Sequence, residues 1–308
     1  MTGKREKKIV VASRIAVFVN AALSILKISA GLVAGSLATV ADGIDSASDI
    51  LTSLITLFTA HIISRPPNMK YPYGYSRADT MAAKILAFIV FFAGAQLAVS
   101  STGRLINPQP HSLPKTIALI AIIISIISKQ ILAYYLKNTG KKVKSKMLIA
   151  NAKNMQSDVV ISLSVLTGLL FTFYFKMPVL DTITALLVSI WIMGVAVKIF
   201  FESSLELMDG VDNPDVYKKI IDACKEVEGV SNPHRIRVRK IANNYLISLD
   251  IEADGNMTLT AAHDLSLQVE QLIKEKITDI FDVLVHVEPS GNKEPDEAFG
   301  ISEKDVVR

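Results

Sequence analysis

Ala38-Thr39-Val40-Ala41-Asp42-Gly43-Ile44-Asp45-Ser46-Ala47-Ser48-Asp49 sets three aspartates in a stretch with no other Asp, Glu, Lys or Arg until Arg65. The segment 38–63 is long enough, as a helix, to cross the ~30 Å hydrocarbon layer of a bilayer. Asp45 and Asp49 stand four residues apart, so a helix projects both carboxylates from one face. Ionisable groups at that depth are costly, and each is a functional candidate by default.

Outward from this stretch the chain repeats the same length scale. Of 308 residues half are apolar, with a mean hydropathy of +0.39. The pattern predicts six spans, near 10–33, 38–63, 80–105, 114–136, 148–175 and 179–202. Lys4, Arg5, Lys7 and Lys8 precede the first. That apolar segment is long and has no cleavage site before further spans, so it reads as an uncleaved helix and not as a signal peptide. Basic residues cluster on one side of the spans. Arg65, Lys70 and Arg77 follow the second, and Lys137, Lys141, Lys142, Lys144 and Lys146 follow the fourth. The positive-inside bias puts these loops, both termini and everything after the sixth span in the cytoplasm, with the cell membrane as the expected location. The formal charge of +4 follows from this topology and implies no nucleic acid. A single cysteine, Cys224, excludes a disulfide framework and a Cys-rich zinc site within one chain.

After Asp209 the pattern is that of soluble sequence. Asn213-Pro214 starts a helix with an apolar stripe at Val216, Ile220 and Val227. Period-two alternation follows in 234–239 and 247–252, with Asn243-Asn244 as the turn between. A helix near 260–277 and a strand at 282–287 complete an α-β-β-α-β order, a ferredoxin-like α+β domain. The expected division is a six-helix transport domain over 1–208, a cytoplasmic metal-binding dimerisation domain over 209–290, and a flexible tail over 291–308.

The fifth span carries Asn154-Met155-Gln156-Ser157-Asp158, again with polar residues at i and i+4. Two such pairs facing each other would place four oxygen ligands, Asp45, Asp49, Asn154 and Asp158, around one ion and offset the desolvation of three carboxylates. Gly35-Ser36-Leu37-Ala38-Thr39-Val40-Ala41-Asp42 with Asp45 and Asp49, then Asn154 with Gln156-Ser157-Asp158, resembles the second and fifth spans of the cation diffusion facilitators. Tyr71-Pro72-Tyr73-Gly74-Tyr75-Ser76-Arg77 and Leu207-Met208-Asp209 resemble that family's second loop and its exit from the membrane. The resemblance covers about residues 10–289. It implies a homodimeric divalent metal/proton antiporter working by alternating access, with no cofactor beyond the metal it carries and lipid as its surroundings. It also implies an inter-subunit charge pair from Arg77 and Asp209, against the plainer readings of a membrane-edge anchor and a linker turn.

The departures from the family's zinc branch bear on the metal. That branch has His where this chain has Asn154, and loop histidines where it has Tyr71 and Tyr75. An all-oxygen site suits Mn²⁺, with Fe²⁺, Co²⁺ and Zn²⁺ still open. In the C-terminal domain His234, Asp250, His263, His286 and Glu288 keep ligand-capable side chains at the positions where zinc-branch members bind metal. Asp181 reads as a group capping the sixth span, Asp42 as a neighbour of the site and not a ligand, and Lys129 and Lys198 have no assigned role. A metalloenzyme would need an open metal with a general base, and no span carries a His-Glu-x-x-His motif. A receptor that only anchors a sensor has no use for carboxylates in two spans.

Overall fold

The computed structural model describes residues 2–75, 77–106, 112–143, 145–211, 213–241, 244–291 and 299–306. The Asn243 half of the expected turn and the Ser76 position of the second loop lie outside these. Six long helices come first: α1 Thr2–Ala34, α2 Leu37–Ile63, α3 Arg77–Ile106, α4 Ile117–Lys142, α5 Lys146–Phe175 and α6 Val179–Leu207. Five of them contain a stretch long and apolar enough to cross a membrane, beginning in α1 at Val10. The remaining one, α2, is as long at 27 residues but carries Asp42, Asp45 and Asp49. Its length matches a span.

The chain divides into two compact units, Met1–His61 with Ala82–Phe200, and Ile62–Met81 with Phe201–Arg308. In the first, small residues such as Ala38, Ala41, Ala118 and Ala185 pack with Leu86, Ile122, Val165, Leu169 and Ile192. Phe18, Phe58, Val99, Tyr174 and Leu187 point outward and are exposed, the arrangement expected of helices surrounded by lipid. Contact between α1 and α2 is close at Gly43. A Cβ there would stand 2.6 Å from Ile28 Cγ1 and 2.9 Å from Ile28 N, so only glycine lets the helices approach this far. The adjacent Asp42 is thereby brought against α1.

In the second unit, α7 Asp215–Lys225, β1 Ser231–Ile241, β2 Asn244–Ala253, α8 Leu259–Lys276 and β3 Ile280–Pro289 follow in the expected α-β-β-α-β order. The sheet runs β1-β2-β3. β1 and β2 pair antiparallel, and β3 pairs parallel to β2 after the α8 crossover. Ile220, Cys224, Ile236, Ile247, Leu249, Ile251, Val269 and Ile273 form the core. β1 is irregular on both sides of His234, where Asn232 and Arg235 take positive φ of 43° and 49°. Residues 299–306, within the segment expected as a flexible tail, carry regular structure. Ile301 bridges Ile236 through two backbone hydrogen bonds of 3.0 Å, and α9 (Glu303–Val306) follows. An exposed edge of β1 offers those pairing groups, which sequence periodicity in the tail does not reveal.

Candidate metal sites

In the helical unit the i, i+4 pairs of α2 and α5 meet around a lysine. Lys129, on α4, has a fully buried side chain with Nζ 3.0 Å from Asp158 Oδ2 and 3.9 Å from Asp49 Oδ2. Nζ donates a hydrogen bond to Asp158, while Asp49 Oδ2 is buried without a hydrogen-bond partner among the described residues. Asp45 lies in the field of the same groups, with Asp158, Lys129, Asp42 and Lys27 as its electrostatic neighbours. Asp45, Asp49 and Asp158 do not offer one oxygen each within 4.8 Å of one another. Asn154 is exposed on α5. Three acids and one base, from three helices, therefore share one polar region.

A second buried ion pair lies beside it. Lys27 of α1 places Nζ 2.8 Å from Asp42 Oδ2, both side chains being essentially inaccessible. Nζ also donates to Ser46 Oγ at 3.2 Å and Ser162 Oγ at 3.0 Å. Ser162 Oγ in turn donates to Asp42 Oδ1 at 2.8 Å. This network ties α1, α2 and α5 together and explains why Asp42 is not a free ligand. Lys27 is one of two basic residues inside the 10–33 span, with Arg14. Asp181 also differs from expectation. Although it lies in the first turn of α6, its carboxylate accepts from Ser36 Oγ at 2.6 Å and Leu37 N at 2.9 Å. It caps α2 from across the chain, satisfying an N-terminal N–H that α2 cannot pair itself.

In the cytoplasmic unit the sheet assembles the other candidates. His234 pairs with Asp250, and Asp250 with His286, across β1-β2-β3. Ligand atoms of His234, Asp250 and Glu288 come within 4.8 Å of one another. His234 Nδ1 contacts Asn232 O at 2.7 Å, so an Nδ1–H donating there leaves Nε2 free, 3.7 Å from Glu288 Oε2. His286 is largely exposed, with Nε2 3.5 Å from Glu288 Oε1. His263 is exposed on α8 and outside the group. Of the five expected ligands the fold brings three together, with a fourth at the margin. Arg235 is an unexpected member. Its Nη1 lies 2.6 Å from Asp250 Oδ2 and 3.9 Å from Glu288 Oε1.

Arg77 and Asp209, the residues expected to pair between subunits, contact each other within one chain. Arg77 Nη2 donates to Asp209 Oδ1, and Nη1 donates to the carbonyls of Glu206 and Leu207 at the end of α6. A cation at a helix C-terminus satisfies orphan carbonyls and the helix dipole together.

A helical membrane unit with acids converging from two of its helices, followed by a small α+β domain with its own carboxylate and imidazole cluster, defines a membrane transporter of cations. The chain belongs to the cation efflux family: its transmembrane domain matches residues 13–208, and the cytoplasmic domain of cation efflux proteins matches residues 213–290. It is 32% identical over 273 residues to the manganese efflux system protein MneS of Bacillus subtilis, covering 88% of this chain and 92% of that one. It is 28% identical to MneP of the same organism, over 94% and 99% of the two chains. It is also 28% identical to the cation-efflux pump FieF of Cronobacter sakazakii, over 89% and 90%. The chain is thus a multi-pass integral membrane protein that exports metal cations, with its C-terminal domain in the cytoplasm, and not an enzyme.

Proposed function

We propose that this protein exports Mn²⁺ in exchange for protons, as a homodimer in the cell membrane, with Asp45, Asp49, Asn154 and Asp158 as the transport ligands. One observation carries the reading: Asp49 of α2 and Asp158 of α5 converge on a single buried cation, Lys129 Nζ. Carboxylates arranged to hold an ammonium are equally arranged to hold a metal ion. Three carboxylates against a 2+ ion leave the site anionic, so protons compete with metal for the same oxygens, which is the coupling antiport needs. Rocking of helices about this site supplies alternating access. An oxygen-only donor set favours a hard ion such as Mn²⁺, and two of the similar proteins are manganese efflux proteins by name. In the cytoplasmic domain, metal at His234, Asp250 and Glu288, with His286 and His263 as further donors, biases the dimer by binding one of its arrangements more tightly.

The test is competitive Mn²⁺ and Zn²⁺ flux in proteoliposomes, comparing wild type with Asp158→Ala and Asn154→His. Asp158→Ala is expected to abolish flux in a protein that still elutes as a folded dimer. Asn154→His is expected to shift the ratio toward Zn²⁺, since later metals gain more from imidazole. Wild-type flux from Asp158→Ala would remove the site. An unchanged ratio in Asn154→His would remove the manganese assignment and leave metal export standing.

A further inference from the structure

We propose that Lys129 is a tethered competitor of the transported metal, an ammonium that occupies the ligand oxygens when the ion is absent and must leave them for the ion to bind. The inference rests on reading Asp49 and Asp158 as ligands, and it adds the occupant of the metal-free site.

Geometry and chemistry both favour this role. Nζ donates to Asp158 Oδ2 at 3.0 Å and lies 3.9 Å from Asp49 Oδ2, and the lysine side chain has no exposure to solvent. An ammonium has three donors and no acceptor, so it cannot join a metal's coordination shell. A metal bound directly to Asp158 Oδ2 takes the lone pairs that Nζ now holds. The two cations therefore exclude each other at that oxygen, and their like charges oppose joint occupancy nearby. Lysine suits the exchange because its charge rides on a flexible four-carbon stem.

The consequence is a cycle in which these partly shielded carboxylates are never left without a cation. As the metal departs the ammonium returns, which offsets the desolvation cost of an empty anionic site and helps the ion to leave. Affinity is given up in exchange for release. A merely structural counter-charge makes the opposite prediction, because removing it would disorder the ligands and weaken binding.

The experiment measures Mn²⁺ binding to the full-length detergent-solubilised protein by calorimetry, alongside Mn²⁺ flux in proteoliposomes. The binding phase that disappears in Asp158→Asn is the membrane site, which separates it from the cytoplasmic group. Absence of any such phase would overturn the underlying site assignment, and with it this inference. With the phase identified, Lys129→Met is expected to tighten it by at least about tenfold. In flux, KM and kcat should fall together, because release becomes limiting. Lys129→Arg, which keeps the charge, should stay closer to wild type in affinity. Lys129→Gln, polar and uncharged, replaces the Met variant if that one does not assemble, with the same expectation. Weakened or unchanged Mn²⁺ affinity in the uncharged variant would overturn the proposal while leaving the transport site in place.

Discussion

Among its described residues the helical unit buries two lysines completely, and their surroundings differ in kind. Lys27 Nζ has three oxygen neighbours within 3.2 Å: it forms an ion pair with Asp42 and donates hydrogen bonds to Ser46 and Ser162. Lys129 Nζ makes one hydrogen bond among the described residues, to Asp158, and reaches Asp49 only at 3.9 Å. A fully coordinated ammonium has nothing to gain by moving and serves as a joint between helices. One that donates a single hydrogen bond, to Asp158, can be displaced. The same pair of residue types thus makes a fixed bolt in one place and an exchangeable plug a short distance away, and the difference lies in the two serines.

The largest effect that tests this contrast is on stability. Lys27→Met strands Asp42 in the helical unit without its cation. Breaking one half of a buried pair costs about 3–5 kcal/mol, and here the change also unties Ser46 and Ser162. Resistance of the purified protein to thermal or detergent unfolding should fall sharply. Removing both charges, as Lys27→Met with Asp42→Asn, should recover much of the loss, because no buried charge is then unpaired. Lys129→Met should cost less, since Asp49 and Asp158 retain partial access to water. If Lys129→Met proves the more damaging change, the distinction between bolt and plug is wrong.

How much of this was open to sequence reading depends on the kind of order involved. Helical spacing is strict, so the pairs Asp45/Asp49 and Asn154/Asp158 reveal a shared face, and the order of elements in the C-terminal domain follows from periodicity. Contacts between helices have no such local rule. Nothing adjacent to Lys27 in the chain announces Asp42, and what brings them together is the absence of a Cβ at Gly43. Lys129 could be noticed as a charge in a span but given no partner, for the same reason. Arg235 fails for a different cause. In regular β1 alternation it would face away from His234. With an irregular register and positive φ values at Asn232 and Arg235, the side chains of His234 and Arg235 both reach the Asp250 and Glu288 group. An irregularity that reorients neighbours is what period-two reasoning cannot foresee. The tail's return to β1 is missed because a bridge at one residue leaves no pattern.

A medium effect separates the membrane group from the cytoplasmic one. Cys224 is the chain's one cysteine and is fully buried in the core of the cytoplasmic unit. Burial pushes its thiol up to about 12, so at pH 8 the folded protein holds almost no thiolate and alkylation must wait for the domain to open. Metal bound only to the folded domain slows that opening by mass action. At ten times the dissociation constant the labelling rate should drop about tenfold. The protection should survive in Asp158→Asn, which alters the membrane group, and vanish in His234→Ala. Protection lost in Asp158→Asn but kept in His234→Ala would mean that the cytoplasmic cluster is not the metal site felt by this domain.

The smallest effect concerns Arg235, which holds in the cytoplasmic group the place that Lys129 holds in the membrane. Both set a basic nitrogen within 3.0 Å of one carboxylate and 3.9 Å of another. Their settings differ in two ways. The Arg235 side chain is about one quarter exposed whereas Lys129 is sealed, so water and salt screen its charge more strongly. Its backbone is also fixed, with Gly300 so close that a Cβ there would fall 2.7 Å from Arg235 Cα. Arg235→Gln should therefore tighten metal binding at His234, Asp250 and Glu288 by only a few-fold, less than Lys129→Met does in the membrane. Raising salt from 0.05 to 0.5 M, chosen to span about one decade of ionic strength, should narrow the gap between Arg235→Gln and wild type. Calorimetry in an Asp158→Asn background isolates this site from the transport site. A tightening as large as that of Lys129→Met, or one indifferent to salt, would mean that exposure does not set the strength of the competing charge. Weaker binding in Arg235→Gln would instead make the guanidinium a support for Asp250, and the likeness between the two groups would end at their distances.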